Sequence, residues 1–217
     1  MSLVVPIKSL TLAKSRLIGC CYPRDERNRA RLVLAMAADT VAAALATPGV
    51  GTVLVTAAAP AEVAELVALG AEVVDDGGAA GLNAALRHGA GLLRRAEPEG
   101  VVGALQADLP ALRPDDLAAA VAEAAGRRAM CADRAGTGTT LLLSAPGGRL
   151  DPRFGHGSAA AHLRSGAAPL TTPAPTLRAD VDTVADVERA RALGVGRHTQ
   201  AVLRGETHHC ADAKRVS

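Results

Sequence analysis

Short apolar runs alternate with segments of helical periodicity along most of this chain, and that alternation restricts the fold more than any other property. Leu3-Val4-Val5-Pro6-Ile7 reads as a first strand. A basic loop follows over 8–23. Ala30, Val33, Leu34, Ala37, Val41, Ala44 and Leu45 then recur at helical spacing within 26–46, until Pro48-Gly49 stops the helix. Thr52-Val53-Leu54-Val55-Thr56 is a second strand, 60–69 a helix opening on a proline and ending at Gly70, and 71–75 a third strand. A helix over 81–95, a strand over 101–106 and a helix over 114–125 follow. Strands over 129–132 and 140–144, a helix from Ser158, a strand near 177–181 and a helix over 183–193 complete the series. Strands separated by helices of this length become parallel neighbours through crossovers. The expected class is therefore α/β, a three-layer sandwich around a mostly parallel central sheet. Periodicity fades beyond this point, so the expected division is a domain over 1–193 and a mobile tail over 194–217.

Composition narrows the function. A chain of 217 residues, 49% apolar and 21% charged, suits one domain with a full core. A net charge of +2 with dispersed arginine argues against a nucleic-acid binder. Cys20, Cys21, Cys131 and Cys210 form no CxxC pair, so reduced thiols and a cytoplasmic location are expected. Lys8 and Lys14 interrupt what would be the apolar core of a secretion signal. The longest uncharged stretch contains Pro48-Gly49-Val50-Gly51 and reads as helix, turn and strand, not as a membrane span. Tyr22 and Phe154 are the only aromatics, so a bound base cannot be sandwiched between rings. Lys8, Lys14 and Lys214 are the only lysines, and the first two, close together after the first strand, suit a phosphate.

In an open parallel sheet, ligands gather at the carboxyl ends of the strands. Four segments fall there: Lys8 with Lys14 and Arg16; Asp75-Asp76-Gly77-Gly78 leading to Gly81-Leu82-Asn83; Asp108; and Asp180-Val181-Asp182. An aspartate closing an apolar strand is a hard oxygen ligand suited to Mg²⁺ on phosphates, or else a turn residue before Pro110. Asp180 and Asp182 offer further carboxylates, or a cap for the helix that follows. Gly81, Leu82 and Asn83 open a helix where backbone and amide could read a base edge. Phe154-Gly155-His156-Gly157-Ser158 enters a helix as an anion seat, with unpaired N–H groups and the helix dipole converging; the plainer alternative is a serine cap. Gly136-Thr137-Gly138-Thr139-Thr140 is a second segment of that kind. His156 and His162 are taken as positioning or structural residues. Asp133-Arg134 is either a local pair or a clamp on an anion. P-loop, dinucleotide, zincin and hydrolase motifs are absent.

Taken in order, these segments resemble the CofC/FbiD guanylyltransferases of deazaflavin coenzyme biosynthesis over roughly residues 3–193. The carriers are Val5-Pro6-Ile7-Lys8, Ala13-Lys14-Ser15-Arg16-Leu17, Gly81-Leu82-Asn83-Ala84-Ala85-Leu86 and Leu105-Gln106-Ala107-Asp108-Leu109-Pro110. The two glycine segments and Asp180-Val181-Asp182-Thr183 complete the set. The resemblance implies a GT-A-type nucleotidyltransferase fold and transfer of GMP from GTP to a phosphorylated three-carbon acid, with release of pyrophosphate. In actinobacterial members of that family the acceptor is phosphoenolpyruvate and in archaeal ones 2-phospho-L-lactate. An alanine- and arginine-rich composition is that of a high-GC bacterium, so the resemblance implies phosphoenolpyruvate, with 2-phospho-L-lactate or 3-phospho-D-glycerate as alternatives. It further implies an acceptor held by Thr140, Gly155 and Ser158, and Mg²⁺ held by Asp108 with Asp180 or Asp182. Lys8, Lys14 and Arg16 would offset triphosphate charge, and the GTP would lie along Lys14 and Gly81, Leu82 and Asn83. A homodimer is left open. A molybdopterin guanylyltransferase and a non-catalytic nucleotide-binding interaction domain are the rival readings.

Overall fold

The run Ser2–Ile7 forms strand β1, and all six residues are buried because helices cover both faces of the sheet there. A computed structural model of the chain describes residues 1–8, 10, 17 and 26–205. After β1 come α1 (Glu26–Leu45), β2 (Thr52–Ala57), a 3-10 helix (Pro60–Leu69), β3 (Glu72–Asp75), α2 (Leu82–Ala96) and β4 (Val102–Leu105). Then follow α3 (Pro114–Ala124), β5 (Ala129–Ala132), β6 (Thr139–Leu143), α4 (Ser158–Arg164), β7 (Ala168–Pro169), α5 (Val184–Leu193) and α6 (Arg197–Leu203).

The seven strands form one sheet in the order β3-β2-β1-β4-β6-β5-β7. β1 is parallel to β2 and to β4, β2 to β3, and β5 to β7. Only β6 runs against its neighbours, β4 and β5, so the sheet is mostly parallel, as expected. Because side chains alternate along a strand, β1 feeds two cores. Leu3, Val5 and Ile7 pack with Val41 and Ala44 of α1, Leu66 of the 3-10 helix and Leu117 of α3. Val4 faces the other way, among Leu86 and Leu93 of α2 and Ala159 of α4. Three layers result. Helix α2 lies close to the sheet because Gly89 has no side chain; a Cβ there would sit 2.7 Å from methyl carbons of Val4 and Thr56.

Pro6 stands inside a central strand, where a proline normally breaks the ladder. Ser2 donates its N–H to Val101 O at 2.9 Å, so even-numbered residues of β1 direct their amides towards β4. Pro6 shares that parity and has no N–H to give. The β1–β4 pairing accordingly stops at Val4↔Ala104, while pairing with β2 continues to Ile7↔Ala57. At the end on which ligands are expected, β1 is therefore laddered to β2 alone.

Three expectations change. The strand sought near 177–181 is absent; 175–178 form a turn, and the strand beside β5 is β7. The run at 60–69 is a 3-10 helix, stopped by Gly70 as anticipated. The segment after 193 is not a tail throughout, since α6 packs on α1. Asp39, buried in α1, accepts the His198 amide at 3.0 Å and the Thr199 amide at 2.8 Å, and so caps α6 from another helix. Gly196 N also donates to Pro110 O at 2.8 Å. Residues 194–205 thus belong to the domain, and 206–217 lie outside the described residues. Among the described residues no helix is long and apolar enough to cross a membrane.

Candidate active site

The segments that carry the expected carboxylates meet through the backbone. Asp108 lies three residues past β4 and is half-buried. Its carbonyl accepts the Val181 amide at 3.0 Å, which fastens Asp180-Val181-Asp182 alongside it. Val181 is fully buried with Leu32 and Met36 of α1, so this segment is anchored by packing as well. Asp180 is half-buried and Asp182 exposed. Neither caps α5: that cap is Thr183, whose hydroxyl accepts the Asp186 amide at 3.3 Å while Asp186 Oδ2 accepts the Thr183 amide at 2.9 Å. Among the described residues no group of three or more His, Cys, Asp or Glu side chains forms a ready metal cage.

Behind Asp108 stands a residue that sequence reading missed. Thr40 of α1 is wholly buried, and its hydroxyl accepts the Leu109 amide at 3.1 Å. The same hydroxyl lies 2.9 Å from Met36 O and 3.2 Å from Ala107 O, two carbonyls to which it can donate. A threonine within an apolar helical run gives no sign of this in sequence, because its partners are 67 and 69 residues away.

On the other side of the sheet, the 153–158 loop is pinned by two side chains. Asn83 Nδ2 donates to Phe154 O at 2.9 Å, and Asn83 Oδ1 accepts the Phe154 amide at 2.8 Å. The carboxamide expected to read a base edge is instead spent largely on this clasp. His162 is fully buried; its Nε2 accepts the Arg153 amide at 2.8 Å and its Nδ1 lies 2.9 Å from Thr139 Oγ1. Phe154 meets the same imidazole edge-on, with ring centroids 5.0 Å apart. Desolvation, and then the Arg128 and Arg153 charges, lower the His162 pKa to about 4. His162 is therefore structural, one of the two roles expected of it.

The helix-entry seat is partly filled by the protein. Ser158 N donates to Gly155 O and Ala159 N to Thr137 O, both at 3.1 Å, so two of the amides expected to await an anion are engaged. Ser158 itself is buried, 2% exposed. Gly155 has φ +132°, which only glycine adopts without strain, and no atom lies within 4 Å of a Cβ built there. Backbone geometry, not crowding, demands glycine at this point.

The Gly136–Thr140 segment also differs from expectation. Asp133 Oδ1 accepts the Thr137 amide at 2.9 Å and Oδ2 the Gly138 amide at 2.8 Å. The anion in this seat is the chain's own aspartate, so Asp133 holds the loop's amides, a role different from both the local pair and the anion clamp considered for it. Thr139 pairs with Ala132 and Leu141 with Cys131, so Thr140 is the extra residue of a β-bulge. Thr140 is buried, 1% exposed, and its carbonyl accepts the Gln106 amide at 2.9 Å.

Lys8 follows β1 directly and is exposed; Lys14 and Arg16 lie outside the described residues. Asp75 and Asp76 bind their own turn, accepting the Gly77 amide at 2.7 Å and the Gly78 amide at 3.0 Å. Gly81 caps α2, with Leu82 and Asn83 as its first residues.

Comparison with known proteins agrees with this architecture. A family model described as "Guanylyl transferase CofC like" matches residues 1–204. The chain is 52% identical over 203 residues to the phosphoenolpyruvate guanylyltransferase of Streptomyces coelicolor, covering 93% of this chain and 94% of the relative. It is 52% identical over 209 residues to the protein of that name from Geodermatophilus obscurus, covering 94% of each. Among solved structures, a Methanothermobacter nucleotidyl transferase superposes with a TM-score of 0.55 at 19% identity, covering 94% of this chain and 98% of the other. That likeness concerns the fold, which is of the nucleotidyltransferase type expected.

Proposed function

The chain belongs to the CofC-like guanylyl transferase family, and on that footing we propose that it transfers GMP from GTP to the phosphate of phosphoenolpyruvate. Relatives of about half identity over nearly the full length carry that name, which favours phosphoenolpyruvate over 2-phospho-L-lactate or 3-phospho-D-glycerate. In the reaction a phosphate oxygen of the acid attacks the α-phosphorus of GTP. The new P–O bond forms as the bond from the α-phosphorus to the β-bridging oxygen breaks, and pyrophosphate leaves with that electron pair. The nucleophile is already an anion, so no proton need be removed. This agrees with a site whose buried histidine is held neutral by its surroundings.

The work left to the chain is alignment and charge neutralisation. The single observation that carries the reading is the Val181–Asp108 backbone bond at 3.0 Å, which brings together two acidic segments, one just past the end of β4 and one just ahead of α5. Mg²⁺ takes one or two protein carboxylates and draws its remaining oxygens from phosphates and water, so an open set of Asp108 with Asp180 or Asp182 fits it, and a closed cage is not needed. When bound it would supply charge neutralisation across the phosphates. Lys8, with Lys14 and Arg16, would bear on the triphosphate and the departing pyrophosphate. Helix α2, opening at Gly81-Leu82-Asn83, would line the nucleotide side. Thr140, Gly155 and Ser158 would hold the acid, on a loop kept in place by Asn83 and His162.

Pyrophosphate release by the purified protein with GTP, Mg²⁺ and each of the three acids in turn tests this. Turnover is expected with phosphoenolpyruvate, giving a guanylylated enolpyruvate. Preference for another acid would replace the acceptor, and no turnover with any of them would remove the guanylyl-transfer reading.

A further inference from the structure

We propose that Thr40 is the positioning residue that aims the Asp108 carboxylate, acting through the backbone on both sides of it. This deepens the guanylyl-transfer reading and rests on it in one respect, that Asp108 works at the reaction centre.

Helix α1 and the turn after it carry one threonine each, and the two can be compared directly. Thr47, just past its end, donates to Ala43 O at 2.8 Å, the ordinary return of a hydroxyl to the turn before it. Thr40 makes the corresponding approach to Met36 O and then does more. Its hydroxyl also reaches Ala107 O and accepts the Leu109 amide, the two residues flanking Asp108. Both threonines are buried, at 0% and 2% exposure, so burial does not separate them.

The peptide group after Asp108 is thereby bonded to one oxygen on a rigid helix, the peptide group before it shares that oxygen's single proton with Met36 O, and the Asp108 carbonyl is held separately by Val181. A carboxylate whose backbone is fixed at three points has little freedom left beyond its own side-chain torsions. Leu109 adds to this by being wholly buried in the core beneath α1. No charge on Thr40 is involved. It neither approaches substrate nor needs to.

The test compares Thr40→Val, Thr40→Ser and, as control, Thr47→Val. Three quantities are read: steady-state constants with GTP and phosphoenolpyruvate, affinity of the protein for Mn²⁺ by electron paramagnetic resonance, and exchange of the Leu109 amide. Thr40→Val keeps shape and removes the acceptor, so Leu109 exchange should quicken and Mn²⁺ affinity fall. Its kcat should drop by about 10–100-fold with KM for GTP changed by no more than about twofold, the signature of misaligned reacting groups. Thr40→Ser should return kcat to within about threefold of wild type, since the hydroxyl is restored.

Thr47→Val should leave kcat and Mn²⁺ affinity as they are. The proposal is overturned if Thr40→Val quickens Leu109 exchange yet keeps both kcat and Mn²⁺ affinity, or if Thr47→Val loses as much. Should Thr40→Val fail to fold, Thr40→Cys, a thiol of similar size and a poor acceptor, is read by the same criteria. If the wild-type protein guanylylates none of the acids, the reaction assignment fails by itself. The Mn²⁺ affinities of Thr40→Val and wild type then decide the role of Thr40 alone.

Discussion

His162 accepts the Arg153 amide through Nε2, which requires that nitrogen to carry no proton, so Nδ1 is left to donate to Thr139. Protonation would break the first bond and place a cation in a buried site near Arg128 and Arg153. Its pKa falls from 6.5 in the unfolded chain to about 4 in the fold. Between those values the unfolded chain binds the proton and the folded one does not, so stability is complete above 6.5 and declines as pH falls towards 4. The full linkage is about 3 kcal/mol. Melting temperature should therefore drop between pH 6.5 and 4.5. The carboxylates held low, Glu123 and Asp186, are silent there because they lose their contribution only below the ordinary carboxylate range. In His162→Gln that slope should vanish although overall stability is lower, and a slope that persists would assign it elsewhere. Asn83 gives a second residue-level prediction. If its amide is a clasp for the 153–158 loop, Asn83→Ala should raise KM for the acid about tenfold or more, the effect of losing one or two well-made hydrogen bonds, and leave KM for GTP nearly unchanged. The reverse pattern would restore Asn83 to base reading. Sequence reading assigned Asn83 to a base edge and missed the clasp, because an amide before an apolar helix gives no hint that Phe154 is its partner.

At the scale of elements, α6 shows why the chain after residue 193 reads as structureless. Its N-terminal amides are met by Asp39, and its buried face is little more than Thr199 and Ala201. Local sequence signals start and stop helices through caps a few residues away, but here the cap comes from the middle of α1, 160 residues earlier in the case of Thr199. Asp39→Ala should cost about 2 kcal/mol, a cap loss at the upper end of the usual range, or about 4–8 °C of melting temperature in a domain of this size. Hydrogen exchange should localise the loss to the His198 and Thr199 amides; unchanged protection there would mean that α6 is held by packing alone. The strand expected over 177–181 failed for a different reason. Its apolar residues are buried, but their partners are α1, α3 and α5, not a neighbouring strand, and burial without a ladder leaves the same hydrophobic trace.

For the molecule as a whole, the layer architecture was legible because it is written in periodicity, which the helices and β1 to β4 follow closely. The reversal of β6 was not, since a hydrophobic run carries no arrow. Nor was the bulge that makes Thr140 the extra residue of its strand, since a bulge is a property of two strands together. Of the candidate site, the acidic segments and glycine loops can be picked out as stretches of chain, and what joins them cannot: the Val181–Asp108 bond, the Thr40 hydroxyl and the Asn83 clasp all link residues more than sixty positions apart.

Pro6 completes the list, for the end of the β1–β4 ladder comes from a donor that its ring does not possess. By register that donor would address the carbonyl of Leu105, the last residue of β4. Many proteins open a sheet by inserting loop or by accumulating glycine, and such openings can erode one residue at a time. This one is digital. Any of the other nineteen amino acids at position 6 would bring back an N–H, so the point at which the β1–β4 ladder stops is inherited through a single codon.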